Sequence, residues 1–120
     1  MKNLIVEGVR TVPGGTYAEV RIDGVCTVNG NLNCVVTEVD GTSTVNGDVT
    51  CDIIILDGTM VINGDVTCDS IEIDGSCVIN GDLNCDILVV DGAMVISGDL
   101  NCETMEIDGD LKVAGETNCG

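Results

Sequence analysis

Cysteine is the residue in this sequence whose side chain offers the most varied chemistry, and six of the eight cysteines recur at an interval of 17 residues. A thiol can ligate a metal ion, form a disulfide or pack as a small apolar group. No C-x-x-C pair occurs and the sequence contains no histidine, so the usual zinc motifs are absent. The recurrent residues are Cys34, Cys51, Cys68, Cys85, Cys102 and Cys119.

The surroundings of these cysteines favour a packing role. Polar and apolar residues alternate around each one, which places the thiols on the inward side next to leucine and valine. Disulfides between stacked neighbours and metal binding are the alternatives. A parallel ladder brings such cysteines near the Cα separation of a disulfide, but both side chains point the same way, which strains the bridge. Cys26 and Cys77 belong to another inward position, three repeats apart, and are too distant to bridge each other.

Acidic residues form the second candidate group. The 21 acidic and 4 basic residues give a formal charge of −17. At 17-residue spacing the carboxylates fall into outward rows that should attract counterions or have raised pKa values. Calcium bridging is one interpretation and solvated corners the other, which we favour because the glycine-rich calcium nonapeptide is missing. Two of the rows are Asp48, Asp65, Asp82, Asp99 and Asp52, Asp69, Asp86, Glu103.

Catalysis has little support. Without histidine the commonest general base and the usual partner of a serine or cysteine nucleophile are missing. Paired carboxylates could serve a glycosidase, but here they recur in every repeat, which is typical of architecture rather than of one active site. We expect neither an enzyme nor a cofactor.

The elements that carry these residues follow from the repeat. Asp-Gly pairs recur every 17 residues, for example Asp57-Gly58 and Asp74-Gly75, and a second glycine follows each pair, as at Gly64 and Gly81. Between the glycines stand three short bursts of period-2 alternation, as in "CDSIEIDGSCVINGDLN", which predict three strands. We expect the glycines to supply the positive φ angles of sharp corners.

Three strands and three corners per repeat predict an all-β fold. It is a single right-handed parallel β-helix, or solenoid, of about seven rungs of 17 residues that fills residues 1–120 as one domain. The right hand rests on the chirality of parallel crossovers. Residues 1–22 form a slightly irregular first rung. Each rung should contribute six inward side chains, stacked into columns such as Val49, Val66, Leu83, Leu100 and Ile54, Ile71, Leu88, Met105.

Charge and composition also limit the partners. A strongly acidic surface repels phosphate backbones and anionic lipids, and Tyr17 is the only aromatic residue available for stacking on bases. We therefore expect no nucleic-acid binding and no direct membrane binding. The start, "MKNLIVEG", is too short in apolar residues for a signal peptide, so we expect a cytoplasmic protein.

The units "IEIDGSCVINGDLNCD" and "CDIIILDGTMVINGDVTCD" resemble those of the bactofilins, bacterial polymer-forming cytoskeletal proteins. The opening, "MKNLIVEGVRTVPGGTYAEVRIDGVCTVNGNLNC", is similar to the start of their short Bacillus and Clostridium relatives. The resemblance implies a right-handed β-helix that assembles end to end, without nucleotide, into filaments that act as scaffolds.

Physical reasoning about the ends agrees with that implication. A β-helix without caps exposes unpaired strand edges and an open core at each end, and a head-to-tail contact there would propagate a fibre. We expect self-association, head-to-tail or head-to-head, with other cytoplasmic proteins as further partners. The alternative is an acidic binding module that captures calcium or a basic protein. The expected contact residues are Leu4, Val6, Met105, Ile107, Leu111 and Val113.

Overall fold

The computed structural model describes residues 2–119, and these form one continuous coil of parallel β-structure with about seven turns. The 18 strands are β1 Lys2–Val6, β2 Val9–Ile22, β3 Val25–Asn33, β4 Val36–Val39, β5 Thr42–Val45, β6 Val49–Thr50, β7 Ile53–Leu56, β8 Thr59–Ile62, β9 Val66–Thr67, β10 Ser70–Ile73, β11 Ser76–Ile79, β12 Leu83–Asn84, β13 Ile87–Val90, β14 Ala93–Ile96, β15 Leu100–Cys102, β16 Thr104–Ile107, β17 Asp110–Val113 and β18 Thr117–Cys119.

Each regular rung consists of two four-residue strands and one shorter strand, and each strand of an internal rung pairs with its copies one turn before and after. β10, for instance, pairs in parallel with β7 and β13, so that Ile71 lies between Ile54 and Leu88. Seven turns at the usual strand spacing of about 4.7–4.9 Å span about 34 Å. This length agrees with the 35 Å long axis of the molecule. The predicted solenoid with a 17-residue repeat is confirmed.

The core is the set of columns that the alternation predicted. Val49, Val66, Leu83 and Leu100 are in register and fully buried. Since parallel stacking repeats the same inward position in every turn, the interior is continuous along the coil. Within residues 2–119, two polar side chains, Thr37 and Ser43, are buried between apolar members of these columns.

The first turn differs from the others. Leu4 is in register with Val20, an offset of 16 residues, whereas Glu19 is in register with Val36, the regular offset of 17. A register shift between Pro13 and Gly15 in β2 takes up the difference.

The expected role of the corner glycines is wrong for most of them. Among the described residues only Gly8 and Gly30 have positive φ, at 89° and 143°. The Asp-Gly corners need glycine because of space: a Cβ atom at Gly58 would overlap the backbone carbonyl oxygen of Gly41 in the preceding turn. Close stacking of the corners, rather than a left-handed backbone, therefore selects glycine there.

Candidate functional site: the two ends of the coil and its side-chain columns

The ends of the coil carry strands that pair on one edge only. Within residues 2–119, β1 pairs with β2 alone, and β16, β17 and β18 pair only with β13, β14 and β15. Their outer edges present backbone N–H and C=O groups with the geometry of a parallel sheet. Such edges can accept a further strand from another molecule.

The apolar residues expected at the contact fall into two groups. At the N-terminal end Leu4 and Val6 are buried within the single chain, at 5% and 1% exposure. At the C-terminal end the inward side chains are half-buried and pack against the core without being covered; these are Met105, Ile107, Leu111 and Val113. The hydrophobic core is therefore open at the C-terminal rung. At the N-terminal rung its inward residues are covered by the chain itself.

The N-terminal end has a different apolar surface that sequence reasoning missed. Ile5 is 54% exposed and Val9 is 84% exposed. Both face outward, whereas the expected contact residues were chosen on the inward phase of the alternation. The signal in the sequence was the uninterrupted apolar run Leu4–Val6, which places an apolar residue where the other rungs usually have a polar one.

The two ends also differ in charge. Three of the four basic residues, Lys2, Arg10 and Arg21, lie near the N-terminal end. Arg21 stacks on Ile5 of the first turn, and its Nε lies 3.6 Å from Glu19 Oε1 and 4.0 Å from Glu38 Oε2. The last rung carries one basic residue, Lys112, among five acidic ones. Those are Glu103, Glu106, Asp108, Asp110 and Glu116. The C-terminal rung is therefore the more acidic of the two ends.

The cysteine column lies along a surface groove of about 370 Å³. Cys68, Cys85 and Cys102 form part of its lining, between a row of threonine and asparagine and a row of acidic residues. Cys34, Cys51, Cys68, Cys85 and Cys102 are buried, whereas Cys119 in the last rung is exposed. All the cysteines in the structure are free thiols.

The thiols of the column interact in pairs. A hydrogen bond from Cys51 lowers the pKa of Cys34 to about 7, and Thr37 Oγ1, 2.8 Å from Cys34 Sγ, acts in the same direction. The bond to Cys34 and burial raise the pKa of Cys51. Cys68 and Cys85 show the same relation, with the pKa of Cys68 raised and that of Cys85 lowered. Cys77, in the other column, has its pKa raised to about 12 by burial.

One acidic row and one asparagine row form hydrogen bonds between successive turns. In the row of Asp65, each aspartate accepts through Oδ1 a hydrogen bond from a backbone N–H of the following turn; the N–H of Asp82, for example, donates to Asp65 Oδ1 at 2.8 Å. A parallel row of asparagines is linked amide to amide, with Asn63 donating to Asn46 at 2.7 Å and Asn80 donating to Asn63 at 2.7 Å. These rows therefore join turns as well as face solvent, a function that the sequence did not reveal.

Two of the corner aspartates have raised pKa values. Hydrogen bonds with Asp91 and Asp57 raise the pKa of Asp74, and partial desolvation followed by a hydrogen bond with Asp57 raises that of Asp40. Glu72, Asp74 and Asp91 bring carboxylate oxygens within 4.8 Å of one another, and all three residues are exposed. Exposed acidic clusters are common in proteins that bind no ion, so we assign no cation to this one.

No helix that could span a bilayer is found in the part of the chain that the structure describes.

Comparison with known proteins identifies a family for this chain. Residues 2–101 match the family described as "Bactofilin: Polymer-forming cytoskeletal". No curated protein and no solved structure gives a significant match. The match covers most of the coil and ends before the last rung.

Proposed function

This chain belongs to the bactofilin family of polymer-forming cytoskeletal proteins, and on that premise we propose that it is a structural scaffold subunit that assembles end to end into filaments without nucleotide. The partner is a second copy of the chain, which binds in a head-to-tail or head-to-head orientation. Other cytoplasmic proteins would be recruited along the filament. The protein acts in the cytoplasm and has no catalytic role.

The single observation that carries the proposal is the open C-terminal rung. Ile107 and Val113 are half-buried although the matching residues one turn earlier, Val90 and Ile96, are fully buried. A further layer of strands would complete this burial at roughly 25 cal/mol per Å² of apolar surface. The free edges of β16, β17 and β18 would gain hydrogen bonds in the same step.

The first turn supports an end contact in a different way. Leu4 and Val6 are already buried in the single chain, so they stabilise the fold of the first turn and leave little of their own surface for a neighbouring copy to contact. The outer edge of β1 and the exposed Ile5 and Val9 supply the surface that a neighbouring copy would meet.

The test is electron microscopy of the purified chain without nucleotide, combined with sedimentation. We expect filaments for the natural sequence and monomers for Ile107→Asp, because a charge at this position cannot be buried against a neighbour. Thr104→Asp is the matched control: it adds the same charge to the same strand on the outward side. This variant should still form filaments.

Circular dichroism of Ile107→Asp checks that the remaining rungs stay folded. Unaltered filaments of this folded variant would contradict the proposed contact. Monodisperse natural protein whose state changes only with calcium would overturn the scaffold proposal in favour of the acidic binding module.

A further inference from the structure

The last two cysteines of the column form a contact that differs from the others in its exposure. Cys102 and Cys119 are in register on the adjacent strands β15 and β18, and their Sγ atoms are 3.0 Å apart. Cys102 is buried at 7% exposure, whereas Cys119 is exposed to solvent. One residue of the pair thus faces solvent, with its sulfur also 3.8 Å from the carbonyl oxygen of Glu103, while the sulfur of its neighbour is held beneath it.

The other pairs of the column lack this combination. Cys34, Cys51, Cys68 and Cys85 are all buried, in turns that have a paired turn on both sides. Their backbones are fixed at the strand spacing of about 4.7–4.9 Å, while a disulfide needs its Cβ atoms at about 3.5–4.5 Å. Strand β18 pairs only with β15 within the described residues, so Cys119 is the one cysteine of the column whose backbone can move closer to its neighbour without disrupting a further turn.

We propose that Cys102 and Cys119 are a redox-responsive pair that forms a disulfide between the last two turns when the chain meets hydrogen peroxide. This modification site lies outside the family match, which ends at residue 101. The proposal does not depend on filament formation.

The chemistry proceeds in two balanced steps. The accessible sulfur of Cys119 attacks one peroxide oxygen, the O–O bond breaks, and a sulfenic acid and one water are formed. The thiol of Cys102 then attacks the Cys119 sulfur, the S–O bond breaks, and the leaving hydroxyl takes the thiol proton as a second water. Two thiols are thereby oxidised to one disulfide and one peroxide is reduced to two waters.

The surroundings suit Cys102 to the second role. Burial, then the bond to Cys119 and its charge, raise the pKa of Cys102 to about 12, so it is a protonated thiol at neutral pH. It resists direct oxidation, since thiolates are the reactive form. Its low thiolate fraction also slows the second step, but the 3.0 Å contact between the two sulfurs makes that step intramolecular and offsets the loss. In the reducing cytoplasm that we expect for this chain, the pair would return to thiols.

The bridge has a mechanical consequence. It ties the last rung, which is otherwise held by one set of strand pairings, to the turn beneath it. Amide hydrogen exchange across β16, β17 and β18 should therefore slow after oxidation and recover on reduction. The rungs around Cys68 should be unchanged because they are already paired on both sides.

Trypsin provides a direct test on the full chain, since cleavage after Lys112 separates Cys119 from all the other cysteines. After treatment with hydrogen peroxide, blocking of free thiols and denaturation, the peptide of residues 113–120 should stay attached to residues 22–112. Dithiothreitol should release it. Cys102→Ser should abolish the attachment, and Cys85→Ser, which removes the neighbouring cysteine of the same column, should preserve it.

Three results would overturn the proposal. They are a free 113–120 peptide with Cys119 as thiol, sulfinic or sulfonic acid, an attachment that survives in Cys102→Ser, and a disulfide between two copies of the chain. The experiment is repeated on Ile107→Asp, so that coverage of Cys119 by an end contact cannot mask the reaction. Because the readout is a covalent link within one chain, its failure would leave the filament proposal standing, and the failure of filaments would leave the disulfide standing.

Discussion

Oδ1 of Asp65 accepts a hydrogen bond of 2.8 Å from the backbone N–H of Asp82, which lies one turn further along the coil. The same bond links Asp48 to Asp65, and Asn31 makes it to the N–H of Asp48 at 2.9 Å. The asparagine in this row shows that the bond requires an acceptor oxygen but no charge. The row therefore contributes connections between turns even though its carboxylates lie close to one another.

Replacing Asp65 separates these two contributions. Asp65→Ala leaves the N–H of Asp82 without its acceptor, and we expect the free energy of unfolding to fall by about 1 kcal/mol. Asp65→Asn keeps the acceptor and removes a charge from a stacked row, so it should be at least as stable as the natural chain. Urea denaturation measures both. Equal loss of stability in the two variants would show that the carboxylate charge, not the acceptor, is what the coil needs.

Gly58 tests whether close stacking selects the corner glycines. A methyl group there would overlap the carbonyl oxygen of Gly41, which also accepts the 2.9 Å hydrogen bond from Thr59 N. The atoms that the methyl group would meet belong to the backbone of Asp40 and Gly41, which cannot rotate away as a side chain can, so the two turns must separate. We therefore expect Gly58→Ala to lower the free energy of unfolding by roughly 1–3 kcal/mol.

Gly15→Ala is the control for this substitution. The three atoms nearest to its new Cβ would belong to the Tyr17 side chain, the closest at 3.5 Å, which is ordinary contact. The control should change stability by about 0.5 kcal/mol or less. A Gly58→Ala variant as stable as this control in thermal melting would contradict the stacking explanation.

Asp74 should make stability depend on pH. Its pKa is raised by hydrogen bonds with Asp91 and Asp57, so the folded chain binds this proton more tightly than the unfolded chain does. Stability therefore increases as pH falls through the raised pKa toward the ordinary carboxyl value of about 3.9, and the penalty is fully present at pH 7. We expect Asp74→Asn to raise the melting temperature at pH 7 and to lose this advantage near pH 4.

Asp110→Asn serves as the comparison for Asp74, because its in-register neighbour in the preceding turn is Ala93 rather than another acid. It should raise the melting temperature less at pH 7, and added salt should reduce the difference between the two variants. A melting temperature of Asp74→Asn equal to or below that of the natural chain at pH 7 would rule out repulsion along the corner row.

The fold was predictable because its geometry is the repeat itself. The 17-residue interval between cysteines and the three period-2 bursts led directly to three strands per turn and to columns such as Val49 to Leu100, as the structure has them. The corner glycines were placed correctly but explained wrongly. Their spacing is visible in the sequence, whereas the overlap between Gly58 and the carbonyl of Gly41 exists only once two turns are stacked.

The ends were less predictable than the interior. Leu4 and Ile107 occupy inward positions in the sequence pattern, yet one is buried and the other is half-exposed. The pattern assigns each residue a side of the strand, but it contains nothing about whether a further turn covers it. The exposed Ile5 and Val9 were missed for a different reason: they face outward, and the contact residues were chosen from the inward positions alone.

By itself the sequence determined the period, the direction in which each side chain points and hence the columns of the core, because in-register parallel stacking converts a one-dimensional repeat into a three-dimensional one. Only the tertiary structure decided which side chains bond across turns, which cysteine of the column is accessible, and which end of the core is open. Those properties depend on distances between neighbouring turns and on where the stack of turns stops, and an internal repeat specifies neither.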